Sequence, residues 1–336
     1  MSSLQVVVIT GASAGVGRAT AIAFARTGAS IGLLARGQAG LDATVRDVEA
    51  SGGRALAIRT DVADAEQVDR AAAQIEEEFG PIDVWVNNAM ASVFARVQDV
   101  TADEFKRVTE VTYLGSVNGT LAALRSMVPR DAGTIVQVGS ALAWRGIPLQ
   151  AAYCGSKHAL QGFVDSLRSE LLADNRNVRL SQVDLPAMNT PQFGWVRTRL
   201  PNHPQPVPPI YAPEVAADAI VWASEHAPRT LNVGYPTMLT KLGNKVSPAL
   251  LDWYLSRNGI SSQQTDQPID AESWQDNLDK PVDADRDHGA HGIFDDQTRW
   301  SSPQLWLAKR KPQVVGAVAG GVLGAVGLLT RGRRSR

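Results

Sequence analysis

The chain's 336 residues are 44% hydrophobic and carry a formal net charge of −1. That is enough apolar material for one buried core with an extension, and it leaves no global field drawing the chain to nucleic acid. The single cysteine, Cys154, excludes an internal disulfide and fits a reducing, cytoplasmic setting. The apolar run Val6 to Ile9 is too short, and too poor in basic residues ahead of it, to act as a secretory signal.

In chain order, short β-rich runs alternate with longer helical stretches as far as about residue 235, the pattern of a parallel sheet with crossover helices. Leu4–Thr10 predicts the first strand and Val16–Thr27 the helix after it. Further strands are expected at Ser30–Ala35, Ala55–Arg59, Ile82–Val86, Thr134–Val138 and Val178–Val183, with a weak seventh at Leu231–Gly234. Leu41–Ala50, Ala65–Phe79, Ala102–Met127 and Ala151–Ala173 carry helical spacing or composition. Pro201–Pro213 holds six prolines and predicts a stiff irregular loop. Residues 261–300 hold ten acids against three bases and read as coil, with Trp274 and Trp300 as candidate anchors. Residues 314–329 contain no polar side chain, and basic residues flank them on both sides. The expected organisation is a catalytic domain at 1–240, a partly coiled extension at 241–312 and a hydrophobic glycine-rich tail at 313–336.

Tyr153 and Lys157 stand one helical turn apart, so they project from the same face of a helix. An ammonium beside a phenol favours the phenolate, and the pair predicts an acid/base. Ser140 supplies a hydroxyl able to hold a substrate oxygen. Gly11, Ser13, Gly15, Val16 and Gly17 lie between the first strand and the first helix, where glycines let backbone N–H groups and a helix N-terminus approach a pyrophosphate. The end of the second strand carries Arg36 rather than an acid. A guanidinium suits a ribose 2′-phosphate, so the expected cofactor is NADP(H), with Ser13 as a second contact to that phosphate. His288 and His291 stand in H-G-A-H, but the surrounding acidic coil and Gly289 favour solvated loop residues over a metal site.

These pieces together resemble the short-chain dehydrogenase/reductase family over roughly residues 4–235: T-G-A-S-A-G-V-G at 10–17, Asp61-Val62, N-N-A at 87–89, Ser140 and Y-C-G-S-K at 153–157. The resemblance implies an α/β, doubly wound parallel sheet of about seven strands (a Rossmann fold) and NADP- or NAD-dependent chemistry between alcohols and carbonyls. It implies that Asp61 contacts the adenine with Val62 also at the cofactor, that Asn87 supports the central strand and the cofactor with Ala89 beside it, and that Tyr153 is the proton donor and acceptor. Lys157 would hold the nicotinamide ribose and tune the tyrosine, Ser140 would orient the carbonyl, and Thr190 would lie near the carboxamide, with Pro186 also binding the cofactor. Three positions depart from the family pattern. Met90 stands where glycine is usual, Thr112 stands where an asparagine normally holds a relay water and is expected to hold that water as a catalytic residue through its hydroxyl, and P-A-M-N-T follows the sixth strand.

Phe193, Trp195 and Leu200 follow the sixth strand, where open α/β sheets place their ligand crevice. With the proline-rich stretch they are expected to cover a small apolar alcohol, ketone or aldehyde. The glycines at 316, 320 and 324 allow close helix contact in a membrane. Sixteen helical residues reach only about 24 Å, short of the ~30 Å hydrocarbon core. The tail therefore reads as a membrane attachment of a cytoplasmic enzyme or, alternatively, as a flexible or partner-docked end. The resemblance further implies a homodimer or homotetramer through the helices at 102–127 and 151–173. A second functional reading is a catalytically weak NADP-binding regulatory or scaffold protein.

Overall fold

The central strands are buried on both faces, and that dictates the layering. In a computed structural model, which describes residues 5–270 and 272–310, β1 (Val6–Thr10) is buried throughout. Val7 and Ile9 enter one apolar cluster and Val6 and Val8 the other, as the two-residue period of a strand requires. The remaining main strands are β2 (Ser30–Ala35), β3 (Arg54–Arg59), β4 (Val84–Asn87), β5 (Thr134–Ser140), β6 (Arg179–Leu185) and β7 (Thr230–Asn232). They pair in the order β7-β6-β5-β4-β1-β2-β3, and every pairing is parallel. The order reverses direction at β1, which pairs with both β2 and β4. That switch point opens a crevice at the carboxyl ends of the strands.

Helices cover both faces, as parallel strands demand. On one side, α1 (Gly15–Ala25), α2 (Gln38–Ala50) and α7 (Pro213–His226) contribute Phe24, Leu41 and Ile220 to the first cluster. On the other, α3 (Ala65–Phe79), α5 (Gly115–Arg130) and α6 (Ala151–Ala173) contribute Ile75, Ala123 and Leu160 to the second. Asp64 caps α3 through the Gln67 N–H. Thr101 and Glu104 form a capping box at the start of α4 (Ala102–Thr109). The single helix expected over Ala102–Met127 is interrupted by a π-turn at Glu110–Leu114, a feature that re-aims side chains within a helix.

The region after residue 200 departs most from expectation. Helix α7 is a full element, and α8 (Gly234–Val246) and α9 (Pro248–Asn258) follow it, so α8 runs across the expected boundary at residue 240. The acidic coil is largely irregular, and it is stitched to the catalytic domain. Gln264–Pro268 pairs antiparallel with Asn202–Pro204, and Thr298–Arg299 pairs parallel with Ile210–Tyr211. The Trp274 indole N–H donates to the Val196 carbonyl at 3.0 Å, so it anchors the coil, whereas Trp300 is 58% exposed and lies against His291. Leu305, on α10 (Pro303–Lys309), is buried in the first cluster. The expected membrane segment at 314–329 lies outside the described residues.

Candidate active site

The crevice holds a cavity of about 590 Å3, within the range typical of ligand sites. One end is built by the β1–α1 turn. Gly11 and Gly15 there have φ of 66° and 55°, values that glycine adopts without the Cβ penalty of other residues. Gly17 faces inward instead: a Cβ on it would come within 2.7 Å of the Asn88 side-chain nitrogen, so its role is close packing of α1 onto the strand ends. Gly11, Ser13, Gly15, Val16, Arg36, Asp61 and Val62 all line the cavity.

The other end is built by β5 and α6. Ser140 ends β5, and Tyr153 and Lys157 project from the first two turns of α6 into the same cavity. The Ser140 Oγ accepts from the Leu142 N–H at 3.1 Å. Lys157 is buried, donates its Nζ proton to the Val138 carbonyl at 2.7 Å and stands 5.6 Å from the Tyr153 ring centroid. Burial lowers the lysine from 10.5 to about 8, with the buried Asp184 carboxylate opposing that shift. Burial raises the Tyr153 phenol above its ordinary value, and the Ser140 hydroxyl pulls it back only in part. The net direction is opposite to the expected lowering: Lys157 faces the tyrosine ring and a backbone carbonyl, and desolvation outweighs its charge.

Three expected site residues are not brought to the cavity wall. The Asn87 carboxamide is buried between the Trp85 indole, which donates to it at 2.8 Å, and the Thr120 hydroxyl at 3.0 Å. Its neighbour Asn88 lines the cavity instead and donates to the Thr10 carbonyl at 2.9 Å. Thr112 is fully buried in the π-turn; its hydroxyl accepts from the Ala91 N–H and donates to the Ala91 carbonyl, both at 2.9 Å. Its one proton is thereby used, and it braces the loop after β4 rather than holding a water in the cavity. Gly17 is the third, for the packing reason given above.

Ala89, Pro186 and Thr190 line the middle of the cavity beside Met90. Beyond them, Phe193 and Trp195 form an apolar wall, with the Phe193 ring edge-on to Phe94 and Phe294. The proline-rich stretch contributes Gln205 to Pro209 to the same wall, while Leu200 packs behind Phe193 and outside the cavity. Leu251, Tyr254 and Leu255 of α9 close the far side. Sequence reasoning missed this contribution because α8 and α9 leave most of their large apolar residues exposed, so no one-sided periodicity marks them. Cys154 is buried beside the site, and burial raises its thiol, as fits a structural cysteine. His288 packs edge-on against Trp195, and His291 bonds Glu214 and Asp295 at 2.8 and 3.0 Å.

Residues 5–199 match the family model described as short chain dehydrogenase. The chain belongs to the short-chain dehydrogenase/reductase family. A Bacillus subtilis protein named uncharacterized oxidoreductase YxnA is 33% identical over 266 residues, 79% of this chain and 75% of that protein. Mouse dehydrogenase/reductase SDR family member 7B is 36% identical over 182 residues, 53% of this chain and 56% of that protein. Among solved structures, an alcohol dehydrogenase from the archaeon Thermococcus sibiricus, complexed with 5-hydroxy-NADP, superposes with a TM-score of 0.59 at 28% identity, covering 68% of this chain and 96% of that one. The chain is thus an oxidoreductase with a Rossmann-type sheet, and its residues beyond 199 lie outside the family model.

Proposed function

We propose that this short-chain dehydrogenase interconverts an apolar alcohol and its ketone or aldehyde with NADP(H), using Tyr153 as the acid/base. The observation that carries the reading is the convergence of Ser140, Tyr153 and Lys157 on one cavity whose other end holds Gly11, Gly15 and Arg36. The site fits a dinucleotide: two glycines with positive φ clear the backbone approach, and the cavity is continuous from Arg36 to Tyr153. Gly11, Gly15, Val62, Ala89, Pro186 and Thr190 would hold the cofactor, which supplies or accepts a hydride when bound. Ser140 orients the substrate oxygen. Tyr153, kept protonated by burial, gives its proton to that oxygen in reduction and takes it back in oxidation. Lys157 brings a cation to the cofactor ribose and offsets negative charge on the phenolate that reduction leaves. Phe193, Trp195 and the α9 side chains exclude water from the reacting carbon.

The test is titration with NADPH and NADH followed by a panel of apolar ketones and aldehydes. Tyr153→Phe is expected to cost about 10²–10⁴-fold in turnover while sparing NADPH affinity. An unchanged rate would remove Tyr153 from the mechanism, and tight binding without turnover in the parent would favour the regulatory reading.

Two properties of the assembly belong to the same proposal. Leu114 and Leu121 are 42% and 45% exposed on the π-turn and α5, which supports burial against a second copy in a homodimer or homotetramer; a monomer in sedimentation would refute it. Among the described residues no helix is long and apolar enough to cross a membrane. The exposed Leu239, Leu242, Val246 and Trp253 on α8 and α9 nevertheless support attachment to a membrane face, with the 314–329 segment as the second contact. Failure of the full chain to float with anionic liposomes would refute attachment.

A further inference from the structure

The acidic coil closes over the adenosine end of the cavity. Asp276 and Asp279 pair with Arg197 at 3.0 and 2.7 Å, and the Asn277 N–H donates to the Trp195 carbonyl at 2.9 Å. From there the strand of coil lies across the residues expected to read the nucleotide. The Arg36 guanidinium donates to the backbone carbonyls of Asn277, Leu278 and Asp279 and to the Asn277 side chain. Leu278 is 2% exposed and shares an apolar cluster with Val62 and Val111. Asp61 is paired with Arg107 at 2.5 Å, and Arg107 also donates to the Leu278 carbonyl.

Further along, the coil takes up the backbone donors. The N–H groups of Ala39 and Gly40, in the first turn of α2, donate to the Ala284 and Asp283 carbonyls at 3.1 and 3.2 Å. The Gly15 N–H donates to Gly289 at 3.3 Å, and Arg18 pairs with Asp287. Between these contacts sits the Asp283 side chain. It is 5% exposed, lines the cavity and accepts no side-chain hydrogen bond among the described residues. A Cβ on Gly40 would lie 2.7 Å from its Oδ2 and 2.9 Å from the Ser13 Cβ. A buried carboxylate thus stands where Arg36, Ser13 and the α2 N-terminus converge.

We propose that Asp283 is a cofactor-specificity residue carried in by the segment 276–289, whose carboxylate contends with the NADP 2′-phosphate for Arg36, Ser13 and the start of α2. A phosphate entering there meets a like charge and an arginine whose Nη1 and Nη2 donors are already taken. A ribose hydroxyl meets an acceptor instead. Both nucleotides need the segment drawn back from Val62 and Gly15, and the 2′-phosphate of NADP meets the Asp283 carboxylate in addition.

The inference rests on the reading of Arg36 as the 2′-phosphate ligand, and the experiment separates the two. NADPH and NADH are titrated against the full chain, Asp283→Asn and Arg36→Ala, with hydrogen exchange followed over 276–289. Asp283→Asn is expected to tighten NADPH about tenfold or more and to leave NADH within about twofold. In the parent, both nucleotides are expected to speed exchange across the segment, with NADPH needing the higher concentration to do so. An NADPH affinity within about twofold of the parent in Asp283→Asn overturns the proposal, as does equal tightening of both nucleotides. Arg36→Ala with unchanged NADPH affinity overturns the Arg36 reading instead. Absence of NADPH binding to the parent and to Asp283→Asn overturns both.

Discussion

Lys157→Met is expected to make the cofactor-free protein more stable at neutral pH while removing its activity. The lysine is buried, and its value falls from 10.5 to about 8, which corresponds to roughly 3 kcal/mol. Because the folded value lies below the unfolded one, the charged lysine costs the folded state the whole of that amount below pH 8. Between pH 8 and 10.5 the unfolded chain holds more protons than the folded one, so the stability of the parent rises with pH through that window. Above it the cost is gone. Methionine keeps the apolar stem and drops the charge together with the Val138 hydrogen bond, leaving a carbonyl unsatisfied at about 1 kcal/mol or more. The expected net gain at pH 7 is therefore about 1–2 kcal/mol, shrinking and reversing as the pH passes 10. Urea denaturation of both proteins at several pH values measures it. A variant less stable than the parent at pH 7, or a difference that does not change between pH 8 and 10.5, would refute the account of a desolvated ammonium held in place for function.

Thr112→Val removes both bonds to Ala91 and leaves its buried N–H and carbonyl unpaired; a loss of about 1–3 kcal/mol is expected by denaturant unfolding, with Thr112→Ser retaining most of the stability. Equal stability of the valine variant would show that Thr112 does not brace the loop. Leu305 is 3% exposed on α10 and packs into the α1–α7 cluster, so Leu305→Ala should cost about 2–4 kcal/mol. A loss below about 0.5 kcal/mol would mean that the end of the extension is not part of the cooperative unit.

Much of the fold was legible because its determinants are local. Ser30–Ala35, Ala65–Phe79 and Ala151–Ala173 are found at the bounds expected of them, each marked by a short, mainly apolar run or a helical composition between breakers. The one-turn spacing of Tyr153 and Lys157 likewise needs only the helix to bring both into the cavity. Asn87 and Asn88 show where that reasoning stops. Successive strand residues point to opposite faces, so a one-residue difference in where β4 ends decides which asparagine meets the cavity. Helices α7 and α9 went unread because prolines at Pro213 and Pro248 look like breakers, yet each stands in a first helical turn, where its missing N–H costs nothing.

The sequence by itself determined the sheet, the glycine turn, the serine–tyrosine–lysine set and the family to which they point, since each rests on contacts within a few residues or on an ordered motif. Only the tertiary structure decided the state of those groups. Lys157 is desolvated against Val138 rather than aimed at the phenol, and Arg36 is bound by carbonyls more than 240 residues away. Asp283 lies buried at a site that its place in an acidic coil did not mark. Burial and long-range pairing set a charge's free energy, and neither quantity exists until the chain has closed upon itself.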